Sequence, residues 1–170
     1  MNPVEALLFF LPAGIGNMMP IFSNKIPLLN RWKTPIDFGK NFRGIRILGN
    51  NKTWRGIITG TLAGGLSGLL IKELAPSVPS IGFIAGCLLG LGALSGDAVE
   101  SFFKRQRNIP PGSSWFPFDQ TDYIIGGLVF VLPFADVELP NAAIILLTYF
   151  GLHILISYIG FLLKLKDKPI

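Results

Sequence analysis

Charge is scarce in this sequence and cysteine is nearly absent. Only 15% of the 170 residues are charged, where a soluble domain carries roughly 25%, so a water-soluble fold is disfavoured. The single cysteine, Cys87, has no partner in its own chain, which excludes a disulfide-stapled secreted scaffold. The polar, aromatic-poor composition of a disordered chain is missing as well: half of the residues are hydrophobic and 14 are Phe. His153 is the only histidine and has no second His or Cys in its segment, so it reads as a hydrogen-bonded structural residue. What remains is a strongly apolar chain with mean hydropathy +0.53, an integral membrane protein forming a single domain over residues 1–170.

Crossing a hydrocarbon layer of ~30 Å takes about 20 helical residues. Five runs approach that length: Val4 to Phe22, Gly56 to Leu74, Ile81 to Val99, Tyr123 to Leu139 and Ala142 to Leu163. The first has no basic stretch ahead of it and carries Glu5 instead, so it reads as a permanent helix and not a signal peptide. Pro133 interrupts the fourth. The expected fold is all-α, a polytopic membrane bundle of about five transmembrane helices.

Fourteen of the fifteen Lys and Arg residues fall in 23–55, in 100–122 or after residue 163, and Lys72 alone lies on the other side. The positive-inside rule then places the N-terminus outside and the C-terminus inside, with loops 23–55 and 100–122 in the cytoplasm. This asymmetry accounts for the pI near 9.6 without nucleic-acid binding. Gly56, Gly60, Gly64 and Gly68, like Gly82, Gly86 and Gly90, recur every four residues. Each set lines one helix face and suits close helix packing, or a homodimer contact.

Several polar residues in or beside the spans need a reason. Asp97 lies near the end of the third run, where a charge costs free energy. On a continuing helix Asp97, Glu100, Ser101, Lys104 and Arg105 share one face. Asp119 and Asp122 follow in the next loop. An amphipathic helix end and an N-cap would account for some of these acids. Alternatively, two or three carboxylates meeting at the membrane surface form a hard oxygen site suited to Mg²⁺, which in turn suits a phosphate-bearing substrate. The first basic loop holds Pro35-Ile36-Asp37-Phe38-Gly39-Lys40 and Gly49-Asn50-Asn51-Lys52-Thr53-Trp54-Arg55-Gly56. Its cations suit phosphate, or equally topology and anionic headgroups. The Walker A glycine spacing is absent, so this is no P-loop. Asn17 with Pro20 opens a kink lining a site or hydrogen-bonds to a neighbouring helix.

Ser95-Gly96-Asp97-Ala98-Val99-Glu100-Ser101-Phe102-Phe103-Lys104-Arg105 followed by Asp119-Gln120-Thr121-Asp122 resembles the signature of the CTP-dependent phosphatidate cytidylyltransferases. With Asn17-x-x-Pro20, Pro35 to Lys40, Arg46 to Gly49 and Lys52 to Gly56, the chain is most similar to the short CDP-archaeol synthases of that superfamily. Gln120 stands where the bacterial diacyl-lipid enzymes carry Arg, which points away from a diacylglycerol substrate. The resemblance implies transfer of CMP from CTP to the phosphate of an isoprenoid-ether glycerol phosphate at the cytoplasmic membrane. It implies Mg²⁺ on Asp97, Asp119 and Asp122, with Glu100 orienting a metal-bound water. Lys104, Arg105 and Ser101 would hold phosphate, and Lys52, Thr53 and Arg55 the triphosphate or the lipid headgroup. Asn17, Asp37 and Lys40 would line the lipid-phosphate side. A CDP-diacylglycerol synthase, a CTP-dependent polyprenol kinase and a small transporter are the rival readings. The last is weakened by the lack of an internal repeat.

Overall fold

The computed structural model describes residues 1–164, of which most lie in helices. Lys166 and Lys168, counted above toward the basic side, lie outside the described residues. Five helices form the bundle: α1 (Pro3–Lys25), α3 (Trp54–Leu74), α4 (Phe83–Gln106), α5 (Phe118–Val131) and α6 (Leu139–Leu162), with a single turn, α2 (Pro27–Asn30), after the first. Four of them are long and apolar enough to cross a membrane: α1, α3, α4 and α6. The protein is therefore a multi-pass membrane helix bundle.

The expected fourth span shifts toward the N-terminus and shortens. Its 14 residues reach only about 21 Å at 1.5 Å per residue. Pro133 has no N–H to extend the ladder, and the Phe134 and Ala135 N–H groups both turn back onto the Val131 carbonyl, at 2.9 and 3.0 Å. At the other end, Phe118 to Asp122, expected in a loop, is already helical. Helix α4 likewise runs past the expected end at Val99 to Gln106, which carries Glu100 to Arg105 on one continuous element.

The helices meet through glycine. A Cβ on Gly64 would strike the Gly86 carbonyl oxygen, one on Gly68 the Gly82 oxygen, and one on Gly90 the Gly60 oxygen. The two four-residue rows thus interlock along antiparallel α3 and α4. Gly16 of α1 joins them, facing the Gly90 Cα and the Gly60 oxygen. These faces are filled within one chain, so they supply no homodimer contact. A second junction lies beyond those two rows: Gly92 and Gly96 of α4 face Gly126 of α5, and a Cβ on Gly96 would strike the Asp122 carbonyl oxygen. Small residues permit such backbone approach in membranes, where packing and not water exclusion holds helices together.

Helix α1 starts with a capping box, in which Asn2 Oδ1 accepts from the Glu5 N–H and Glu5 Oε2 accepts from the Asn2 N–H, both at 2.9 Å. Helix α6 is tied in by Tyr149, whose hydroxyl donates to the Leu7 carbonyl at 2.8 Å, and by the Tyr123 hydroxyl, which donates to the Tyr149 carbonyl at 3.1 Å. Phe9, Phe10, Leu89, Ile124 and Ile145 are fully buried at the centre. Leu66, Leu147 and Ile156 point outward, at more than half their full exposure, onto the face that lipid covers.

The long loop between α1 and α3 folds around a buried carboxylate. Strands β1 (Asn41–Phe42) and β2 (Ile45–Arg46) form a minimal antiparallel hairpin. Asp37 receives Arg46 Nε and Nη2 at 2.9 Å each, with the Gly39, Leu48 and Gly49 N–H groups at 3.0, 2.9 and 3.2 Å. Burial pushes this carboxyl up, but Arg46 and the three backbone donors outweigh it and hold it well below the ordinary carboxylate range. A depressed value gives stabilisation that is complete at neutral pH and is lost as pH falls below about 4 toward the folded value. The wild-type loop is therefore expected to resist limited proteolysis at pH 5 as it does at pH 7. Asp37→Asn, lacking the charge that Arg46 requires, should be cut between residues 38 and 49 several times faster at pH 7. Equal cleavage of the two proteins would remove Asp37 as the organiser of this loop.

Candidate active site

The C-terminal ends of α1, α4 and α6 and the N-terminal ends of α3 and α5 gather on one side of the bundle, the side that carries the long loop. The chain of causes begins with glycine. Because Gly96 and Gly126 let α4 and α5 touch backbone to backbone, Asp97 and Asp122 are brought side by side. One helical turn beyond Asp97, Glu100 shares its face. Among the described residues, Asp97, Glu100 and Asp122 form a group whose carboxylate oxygens lie within 4.8 Å of one another.

Cations border this group on two sides. Lys52, delivered by the long loop, places Nζ 2.5 Å from Asp97 Oδ2. Its position is set by an antiparallel bridge between Pro35 and Thr53 and by the Ile36 N–H donating to the Lys52 carbonyl at 2.9 Å. Lys104, one turn after Glu100, lies 3.1 Å from Glu100 Oε1 and 2.6 Å from Asp119 Oδ1. The other Asp119 oxygen accepts the Trp115 N–H at 3.0 Å, which ties the α4–α5 connection down. Together these residues line a cleft of about 500 Å³ that also takes in Asn17, Asn50, Arg105 and His153. That size suits a ligand of small-molecule dimensions. Three hard oxygen ligands beside two ammonium groups can hold a divalent cation together with phosphate oxygens.

Residues 4–170 match a protein family described as CarS-like, CDP-archaeol synthase. The chain belongs to that family. It is 36% identical to the CDP-archaeol synthase of Pyrococcus furiosus, with 99% of both chains covered. It is 38% identical to that of Methanospirillum hungatei, over 89% of this chain and 99% of the relative. A solved structure of an intramembrane enzyme for archaeal membrane lipid biosynthesis superposes with a TM-score of 0.79 at 28% identity, covering 92% of this chain and 94% of that one. The family resemblance read from the motifs is thereby borne out, and with it the fold class and a CTP-dependent cytidylyltransferase activity at a membrane.

Within this family member the expected site residues divide into three groups. Asp97, Asp122, Asp119, Glu100, Ser101, Lys104, Arg105, Lys52 and Asn17 all line the cleft. Of the acids, Asp119 lies outside the group of Asp97, Glu100 and Asp122 but meets it at Glu100, with which it shares Lys104, while its other oxygen takes the Trp115 N–H. Arg55 and Thr53 line an adjoining cavity instead. Thr53 caps α3, accepting the Gly56 N–H at 3.2 Å, and Arg55 donates to Asn24 Oδ1 at 3.1 Å. Asp37 and Lys40 are not in the cleft: Asp37 faces its own loop and Lys40 is exposed on it. Asp37 acts at one remove, because the Leu48 and Gly49 it fixes belong to the cleft wall. His153, expected to be a hydrogen-bonded structural residue, borders the cleft, with its ring 5.8 Å from that of Tyr123.

Proposed function

We propose that this protein transfers CMP from CTP to the phosphate of an isoprenoid-ether glycerol phosphate, giving a CDP-archaeol-type lipid and pyrophosphate, with Mg²⁺ held by Asp97, Glu100 and Asp122. The supporting observation is the three-carboxylate group inside a cleft walled by Lys52, Lys104 and Arg105. An all-oxygen, all-carboxylate donor set favours Mg²⁺ over the softer transition metals. When bound, Mg²⁺ supplies Lewis-acid neutralisation of phosphate charge.

The protein's own groups do the rest by placement. Lys52 and Lys104 rest on carboxylates at the cleft wall, from which their ammonium groups can turn to pair with phosphate oxygens that enter the cleft. Arg105 offers a planar fork of donors to the same oxygens. Asn50 and Asn51, presented by the loop that Asp37 organises, offer uncharged donors to the nucleotide. An oxygen of the lipid phosphate forms a bond to the α-phosphorus of CTP. The bond from that phosphorus to the bridging oxygen breaks, and pyrophosphate leaves with the electron pair. Such chemistry depends on positioning and charge more than on covalent help, and a phosphate nucleophile is ionised at neutral pH without a general base.

The membrane in this proposal is the cytoplasmic one and the cleft opens to the cytoplasm, the side on which fourteen of the fifteen cations fall. A cysteine introduced at Ser113 in a Cys87→Ser background should then be labelled from the cytoplasmic side only. Product analysis tests the reaction. With CTP labelled at the α-phosphate the lipid product carries the label, and with CTP labelled at the γ-phosphate the label leaves as pyrophosphate. Recovery of the γ-label in the lipid would make the protein a CTP-dependent lipid kinase and refute the proposal.

A further inference from the structure

A second polar cavity, of about 890 Å³, lies on the other side of the Lys52–Asp97 pair, between the end of α1, the Asn50 to Thr53 segment and the start of α3. Its charge differs from that of the cleft. Lys25, Lys33, Lys52 and Arg55 line it, with Asn17 and Asn24, and Asp97 is the single acid. Arg55 is only 5% exposed. Two of its nitrogens are engaged, by Asn24 Oδ1 at 3.1 Å and the Leu29 carbonyl at 3.4 Å, but its buried Nε donates to nothing among the described residues. A buried guanidinium with a spare donor is costly unless an acceptor reaches it.

The rim of this cavity is apolar. Ile21 is part of its lining and is 66% exposed, and its neighbours Met18 and Phe22 are also exposed, so α1 presents them to lipid. A cationic interior with a bilayer-facing apolar edge matches an amphiphilic phosphate better than a freely soluble one.

From this geometry we infer that the Arg55 cavity is a second phosphate site, separate from the nucleotide cleft, which takes the phosphate monoester of the lipid substrate. The inference rests on the reading given under Proposed function. The two substrates then reach Asp97 from opposite sides, CTP through the cleft and the lipid from the α1–α3 flank, with the Lys52–Asp97 pair standing between them. Arg55 and Lys25 are binding residues for the lipid phosphate and not for the nucleotide.

The test uses the full chain in lipid nanodiscs, with two measurements on each variant: the KM for digeranylgeranylglyceryl phosphate, and the Kd for CTP with Mg²⁺ in the absence of lipid substrate. Arg55→Gln should raise the lipid KM by about tenfold or more, the loss expected for a charged hydrogen bond, while the CTP Kd stays within about twofold of wild type on the same scale. Lys25→Gln with Lys33→Gln, both at exposed positions, should raise the lipid KM without risk to folding. Inhibition by pyrophosphate is measured alongside, and should be unchanged in the double variant. Weakened pyrophosphate inhibition with an unaltered lipid KM would make the cavity an exit for the leaving group and overturn the inference. So would a CTP Kd that rises in parallel with the lipid KM, or a lipid KM that is insensitive to these variants but rises with Ile125→Trp in the apolar groove between α4 and α5. Failure of the underlying reading looks different, since wild-type protein would then transfer no CMP at all.

Discussion

Asp97→Asn is expected to lower CTP-dependent turnover by at least about a hundredfold, with the protein still inserting and purifying normally. Asn preserves volume and most hydrogen bonding but removes the charge that a cation and Lys52 both require. A hundredfold loss corresponds to about 2.7 kcal/mol of transition-state stabilisation, within what a metal-centred electrostatic contribution supplies. Asp122→Asn should be comparably severe, because Asp122 belongs to the same three-carboxylate group. Asp119→Asn is the contrast. Its side chain can still accept the Trp115 N–H and still reach Glu100, losing the charge that pairs with Lys104, so its turnover should fall much less. The rates are measured at saturating CTP and Mg²⁺, which removes simple weakening of binding from the comparison. Near-wild-type turnover in Asp97→Asn would end the metal assignment, and an Asp119→Asn loss equal to that of Asp122→Asn would move the metal site outward along α5.

The second large effect is expected far from any charge. Gly126→Ala puts a methyl group against the Gly92 carbonyl oxygen and 2.8 Å from the Gly96 nitrogen. Both neighbours are backbone, so neither yields by a rotamer change, and α4 must part from α5. Overpacking of this kind costs typically 1–3 kcal/mol. Because the same contact sets Asp97 beside Asp122, stability and turnover should fall together: several degrees in the apparent Tm of the detergent-solubilised protein, and at least about tenfold in kcat. Gly151→Ala is the control, since a Cβ there meets nothing within 4 Å, and it should match wild type in both measurements. A Gly126→Ala protein with unchanged kcat would show that the helix junction does not position the carboxylates.

The parts of this structure that could be read from sequence are those that depend on local periodicity. The long apolar helices follow from run length, and the interlocked glycine rows of α3 and α4 from their spacing of four. Glu100 falls beside Asp97 because three residues on a helix nearly complete a turn. Long-range register was not readable in the same way. Asp119 and Asp122 are equivalent by sequence, both acids near the start of a helix. The depth at which Gly126 meets Gly92 and Gly96 decides that Asp122 enters the carboxylate group while Asp119 sits one turn farther out, on Lys104. Asp37, expected on the lipid-phosphate side, faces its own loop for a related reason. Its Asp-x-Gly-x setting suggests a polar loop, but its inward role depends on a hairpin with strands of two residues each, too short to announce itself by alternation. Arg55 is expected from sequence to face the triphosphate or the lipid headgroup. Which of two adjacent cavities it lines depends on how the long loop crosses between them, carrying Lys52 onto Asp97.

The central claim is that Asp97, Glu100 and Asp122 hold a divalent cation together with the nucleotide. Mn²⁺ binding, followed by electron paramagnetic resonance on purified protein with CTP present, tests it without reliance on turnover. Wild-type protein should bind Mn²⁺ in competition with Mg²⁺, Asp119→Asn should bind it nearly as well, and Asp97→Asn and Asp122→Asn should each lose it. Undiminished Mn²⁺ binding by the Asp97→Asn and Asp122→Asn double variant would contradict the claim.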